Sequence, residues 1–159
     1  MVLETVMMGD VVCHESASQI LERKGSHIWS IGPDASVFEA IRLMDEVGAG
    51  ALLVLAGGRL VGVISERDYA RKVALKGRSS RETRVSEIMS TPAVTVTPGD
   101  CVTDCLRLMT ERRVRHLPVL HNSSIVGVLS IGDLVNAVLS AQAAEMRSLK
   151  SYVAGHYPA

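Results

Sequence analysis

The sequence predicts an α/β (α+β) protein of two pseudo-symmetric β-α-β-β-α units. Three observations carry this: the chain repeats itself, its hydrophobic period switches at matching places in both repeats, and its core must be aliphatic. Hydrophobic residues make up 47% of the 159 and aromatic residues only 3%, so Val, Leu, Ile, Met and Ala have to fill the interior. With 21% charged residues the composition is that of an ordered globular chain. Its length supplies one sizeable domain or two small units sharing a core.

A shift of 98 − 33 = 65 residues lays Pro33 to Asp68 on Pro98 to Asp133 without a gap. Arg42-Leu43-Met44 falls on Arg107-Leu108-Met109, Val54-Leu55 on Val119-Leu120, and Val61-Gly62-Val63 on Val126-Gly127-Val128. Ser65 and Asp68 fall on Ser130 and Asp133.

Each copy opens with a short helical turn, Ser18 to Gly25 in the first and Val85 to Ser90 in the second. In the first copy Val37, Ala40, Ile41 and Met44 then form one apolar stripe at helical spacing, with Ser36 and Glu39 placed as a capping box. Leu52 to Leu55 and Leu60 to Ile64 read as strands joined through Ala56-Gly57-Gly58-Arg59, a hairpin. His121-Asn122-Ser123-Ser124 replaces that turn in the second copy. Helical spacing returns after Ser65, at Tyr69 and Val73, and after Ser130, at Leu134, Val138 and Ala141. The polar stretch Lys76 to Arg84 separates the copies, with Gly77-Arg78-Ser79-Ser80 as a loop. Leu134 to Val153 reads as one long helix whose broad apolar face, from Val138 to Met146, Leu149 and Val153, exceeds what two small sheets need.

Seventeen basic residues balance seventeen acidic ones, so the basic field of a nucleic-acid binder is missing. No apolar run is long enough to span a bilayer and no basic leader precedes the first apolar residues, which reads as a cytoplasmic protein with no membrane partner. Cys13, Cys101 and Cys105 are odd in number and lack close paired spacing, an argument against a disulfide framework and for a reducing compartment. Cys101 and Cys105 face one way on a helix, but nothing completes a metal site around them, and packing or surface thiols are the expectation. No nucleophile with its base, and no paired acid and base, stands at convincing spacing, so catalysis is not expected.

The chemistry concentrates in Gly62 to Asp68 and Gly127 to Asp133, each with a hydroxyl at a strand end and a carboxylate three residues on. Two readings are open. Ser-x-x-Asp before an apolar run is a capping box that satisfies orphan amides without a ligand. Alternatively, free N–H groups at a helix start hold a phosphate while the carboxylate accepts from ribose hydroxyls.

These two segments, with Arg115-His116-Leu117-Pro118-Val119 and Val85-Ser86-Glu87-Ile88-Met89-Ser90, resemble the cystathionine-β-synthase (CBS) domain family over nearly the whole chain. Ser65 to Tyr69 and the ending Leu149 to Gly155 are similar to small stand-alone bacterial proteins carrying a CBS pair. The resemblance implies a single Bateman module over 1–159: repeats at 14–77 and 85–142, a linker at 78–84, and a C-terminal helix extension and tail at 143–159, the units packed sheet to sheet about two clefts. It implies a regulatory sensor of an adenine nucleotide, AMP first, with ADP, ATP, NAD(H) or S-adenosylmethionine as other ligands, and no metal. Asp133 would take the ribose of one nucleotide whose base lies near Lys24, His27, Ile28, Trp29, Ala49 and Ala51, with Ser130 and Arg115 toward its phosphate. Asp68 would take the other, its base against Met89, Pro92, Ala93, Val94, Val114 and His116, with Ser65 and Arg67 toward the phosphate.

The copies differ where phosphate would sit: Arg115-His116 matches Gly50-Ala51, and Arg67 matches Gly132. The clefts are therefore expected to differ in affinity. His14, His121 and His156 receive no role. The exposed helical faces point to a homodimer, and output has to pass to a separate protein effector. The competing expectation is a ligand-independent protein-interaction module.

Overall fold

The computed structural model describes residues 13–155; the N-terminal dozen and the end of the expected tail, His156 included, lie outside the described residues. The first copy comprises α1 (Ala17–Lys24), β1 (Ser30–Ile31), α2 (Val37–Val47), the hairpin β2 (Ala51–Ala56) and β3 (Arg59–Ser65), and α3 (Glu66–Tyr69), which continues as a π-helical turn over Ala70–Ala74. The second comprises α4 (Val85–Ile88), α5 (Val102–Arg112), the hairpin β4 (His116–His121) and β5 (Ser124–Ser130), and α6 (Ile131–Val153). The mixed α/β expectation holds, with two small sheets.

The hairpins match down to their irregularities. Gly57 and Gly58, like Asn122 and Ser123, have positive φ at both loop positions, as a two-residue turn between twisted strands requires. Both hairpins shift register at the same point, between Val54 and Leu55 and between Val119 and Leu120.

One expected strand does not form. In the first sheet β1 runs parallel to β2, and the Leu53 N–H donates to the Trp29 carbonyl at 3.0 Å. Pro118 holds the position of Leu53 in the second copy and has no N–H to give. Pairing there shrinks to a single bridge between Val96 and Val119.

The opening helices are exchanged between the copies. Ala17, Ile20 and Leu21 of α1 pack into the core of the second copy, among Cys105, Leu117, Leu129 and Leu134. Val85 and Ile88 of α4 pack into the core of the first, among Val37, Met44, Leu52 and Ile64. Backbone hydrogen bonds repeat the exchange: Val85 N–H donates to Ala35 O and Ala17 N–H to Asp100 O, while Val37 N–H donates to Thr83 O and Val102 N–H to Glu15 O. Ala17 is thus the counterpart of Val85, one residue before the start read from sequence, and the segment before α4 supplies carbonyls to the start of α2.

The same exchange overturns the cysteine expectation, because Cys13 and Cys101 form a disulfide. Ser16 and Cys101 bridge as antiparallel partners, which brings the Cα atoms of Cys13 and Cys101 to 5.6 Å. The partners are 88 residues apart, so only the exchange, and no local spacing, reveals them. Cys105 remains a free, buried thiol, and burial, with Asp100 and Asp104 nearby, raises its pKa to about 11.

A second asymmetry lies at the ends of α2 and α5. Gly48 closes α2 in the left-handed conformation, at φ 68°, and Arg113 closes α5 at φ 55°. A residue with a Cβ gives up about 1–2 kcal/mol there, whereas glycine does not.

Candidate functional site

Ser65 and Ser130 end β3 and β5 and cap the helices that follow, each hydroxyl accepting from the N–H of the residue three on, Asp68 or Asp133. Each carboxylate returns to the cap: Asp68 Oδ2 accepts from Ser65 N–H at 2.9 Å, and Asp133 Oδ2 from Ser130 N–H at 2.7 Å. The capping reading is therefore correct for both segments, and leaves room for a ligand role.

A lysine also holds each carboxylate. Lys72 Nζ lies 2.9 Å from Asp68 Oδ1 and donates to the Ile88 carbonyl at 2.8 Å, tying α3 to α4. Lys24 Nζ lies 2.5 Å from Asp133 Oδ2 and donates to the Val128 carbonyl at 2.8 Å, tying α1 to β5 and α6. Burial pushes the Asp133 carboxyl up, but the hydrogen bonds and charge of Lys24 and the Ser130 N–H outweigh it and hold the group below its ordinary value.

Two clefts open beside these caps. The first, about 350 Å³, is lined by Ser65, Arg67 and Asp68 from one copy and by Pro92, Ala93, Val94 and Val114 from the other. The second, about 560 Å³, is lined by Lys24, His27, Trp29, Ala49 and Ala51 from the first copy and by Ser130 from the second. Asp133 reaches this wall through Lys24. Trp29 is 44% exposed, its ring stacked parallel to that of His27 at 6.0 Å.

Gly50, Val63, Arg115 and His116 line both clefts, so Arg115 and His116 form a shared wall. Burial lowers the His116 imidazole below its ordinary pKa; Lys24 pushes the same way, Asp133 opposes and Arg115 adds to the lowering. Two residues expected in the clefts stand elsewhere. Met89 packs against the first core, its Sδ 2.9 Å from where a Cβ on Gly62 would stand. Ile28 is 36% exposed and does not line the cleft that its neighbour Trp29 lines. The sequence reading also missed Arg71, Lys72 and Arg113 in the first cleft. Lys72 was within reach of it, standing one helical turn after Asp68.

The CBS domain model matches residues 7–75 and 85–140. The mitochondrial CBS domain-containing protein CBSX3 of Arabidopsis thaliana is 40% identical over 138 residues, covering 84% of this chain and 66% of that protein. The CBS domain-containing protein YhcV of Bacillus subtilis is 31% identical over 127 residues, covering 80% of this chain and 90% of its own length. Among solved structures, a Burkholderia ambifaria protein with CBS domains, described in terms of signal transduction, superposes with a TM-score of 0.78 at 46% identity, covering 80% of this chain and 96% of that one. Proteins built on such CBS pairs are generally regulatory modules of signal transduction, and no helix among the described residues is long and apolar enough to cross a membrane. Two matched domains, exchanged opening helices and two clefts between the copies place the chain in the CBS domain family, as a tandem pair.

Proposed function

We propose that the protein is a non-catalytic sensor that binds adenine nucleotides in the two clefts and passes their occupancy to a separate protein. One observation carries this reading: each cleft joins a capped helix start to apolar wall residues of the other copy, with the Asp68 carboxylate lining the first and that of Asp133 held behind Lys24 at the second. A helix N-terminus favours phosphate, a carboxylate suits a ribose diol, and an apolar wall suits a base. Ser65, Arg67 and Asp68 serve the first cleft and Ser130 and Asp133 the second, with Lys24 giving up Asp133 when ribose enters. Pro92, Ala93, Val94 and Val114, like Trp29, Ala49 and Ala51, lie against a base.

Both clefts are built from the two copies, so a bound nucleotide stabilises the native state. At a free concentration of about a hundred times its Kd, one site adds roughly 2.7 kcal/mol, raising the melting temperature by roughly 5–11 °C. Thermal melts of nucleotide-stripped protein with AMP, ATP, NAD and GMP test this. A shift with adenine compounds and a much smaller one with GMP supports the reading; no shift, or an equal shift with GMP, overturns it. The rival, a ligand-independent interaction module, draws on the internal partners of Asp68 and Asp133, and is the better account if no nucleotide binds.

We place the homodimer contact along α6. From Gln142 to Lys150 every residue of this helix is exposed, although a free helix of that length is marginal in water. Val135, Leu139, Gln142, Met146, Leu149 and Val153 follow a heptad seam opposite the buried Leu134 and Ala137. In a parallel pair Glu145 would face Lys150 of the second copy. Glu145 also lies 3.5 Å from His14.

A further inference from the structure

We propose that the cleft beside Asp68 is a polyphosphate site, selecting ATP over AMP, and that Arg113 sets the preference. This rests on the nucleotide-sensing reading and names the ligand class for one of its two clefts.

The two copies differ in charge just where they face the clefts. Arg67, Arg71, Arg113 and Arg115 all line the first cleft. Their counterparts at the 65-residue offset are Gly132, Asn136, Gly48 and Gly50, none of them basic. Of these four arginines only Arg115 also reaches the second cleft, whose other cation, Lys24, is engaged by Asp133. Among the described residues none of the four pairs with a carboxylate. The two acids on the same walls are Glu66 and Asp68, and Asp68 is already matched by Lys72. The first cleft therefore carries a surplus of guanidinium groups, which bind phosphate oxygens through paired donors. One phosphate does not match four such groups. A triphosphate, with three linked anionic centres, does.

Arg113 is the most telling of the four. It occupies the left-handed position that glycine fills comfortably in the other copy. The fold does not require an arginine there. Backbone strain retained on a residue that lines a cleft points to a use for its side chain.

Titration calorimetry of the nucleotide-stripped full chain with AMP and ATP tests the inference, using Asp68→Asn and Asp133→Asn to tell the clefts apart. Both substitutions keep a competent cap. The expected result is ATP binding at least tenfold tighter than AMP, with the preference kept in Asp133→Asn and lost in Asp68→Asn. Arg113→Gly should weaken ATP about tenfold, weaken AMP much less and melt no lower than the parent, while Arg113→Lys keeps most of the preference. Equal affinities for AMP and ATP, or an equal loss of both in Arg113→Gly, overturns the inference while nucleotide sensing stands. Binding of neither nucleotide overturns both together.

Discussion

Leu21, in the helix that opens the first copy, fills the space that a side chain on Gly127 of the second would need: its Cδ2 lies 2.6 Å from where that Cβ would stand. Gly62 is the counterpart, 127 − 65, and there the obstacles are the Ser90 carbonyl at 2.8 Å and Met89 Sδ at 2.9 Å. A leucine methyl turns aside more easily than a carbonyl that accepts from the Val63 N–H. Gly62→Ala should therefore cost more than Gly127→Ala, within about 1–3 kcal/mol for overpacking. Urea unfolding of both variants checks the order, and the reverse order would count against the exchanged packing.

Lys24→Met should release Asp133. With the ammonium gone, the carboxyl of Asp133 titrates at higher pH, visible in carbon-detected NMR. Because the folded-state pKa lies below the unfolded one, Asp133 contributes stability in full above the unfolded value of about 3.9, and loses it as pH falls through the folded value. In the variant the folded value moves up toward the unfolded one, so the stability Asp133 contributes above it is smaller and acid unfolding should set in at higher pH. An unchanged acid midpoint would show that the Lys24 contact is absent in solution.

Reduction should cost stability. The Cys13–Cys101 bridge closes a loop of 88 residues, and a bridge of this kind is worth about 2–4 kcal/mol, or roughly 5–15 °C in melting temperature. Cys13→Ser should melt like the reduced parent. Thiol titration gives the independent count: without reductant, Cys105 should react slowly while folded and as one thiol per chain in denaturant, rising to three after reduction. Three thiols before reduction would mean no bridge.

The α6 seam predicts a charge-swap pattern. Light scattering should find the parent at twice 17.1 kDa. Leu149→Glu should give the monomer mass and Glu145→Lys should weaken the pair. Adding Lys150→Glu to Glu145→Lys should restore it, because only a parallel register brings these positions together. A Leu149→Glu variant that stays dimeric would move the interface elsewhere.

Much of this was legible in the sequence because repeats, helix stripes and Ser-x-x-Asp caps are local signals. Ser36 with Glu39, the two-residue turns and the long α6 all follow from residues near one another. The missing first strand of the second copy was not read from the sequence, because the repeat suggested a strand in both copies and the inability of Pro118 to donate where Leu53 does was outweighed. The exchange of α1 and α4 was not legible: an apolar stripe such as Ala17, Ile20 and Leu21 states that a face is buried and not against which sheet. The disulfide and the position of Met89 depend on that long-range choice. The base-facing residues first associated with the clefts came from family likeness, whereas Arg71 and Arg113 became visible only once α3 and the end of α5 were seen to border one cavity.

The exchange of opening helices also fixes an order of assembly as the chain is made. The first core needs nothing beyond α4, so it closes once residue 88 has emerged. Helix α1 is synthesised before any other described element and yet finds its place last, because its partners Leu129 and Leu134 come more than a hundred residues after Leu21. At the usual 5–20 residues per second that is a delay of roughly 5–20 s. Throughout it, the apolar stripe of Ala17, Ile20 and Leu21 is uncovered, and the second half of the molecule cannot close without α1.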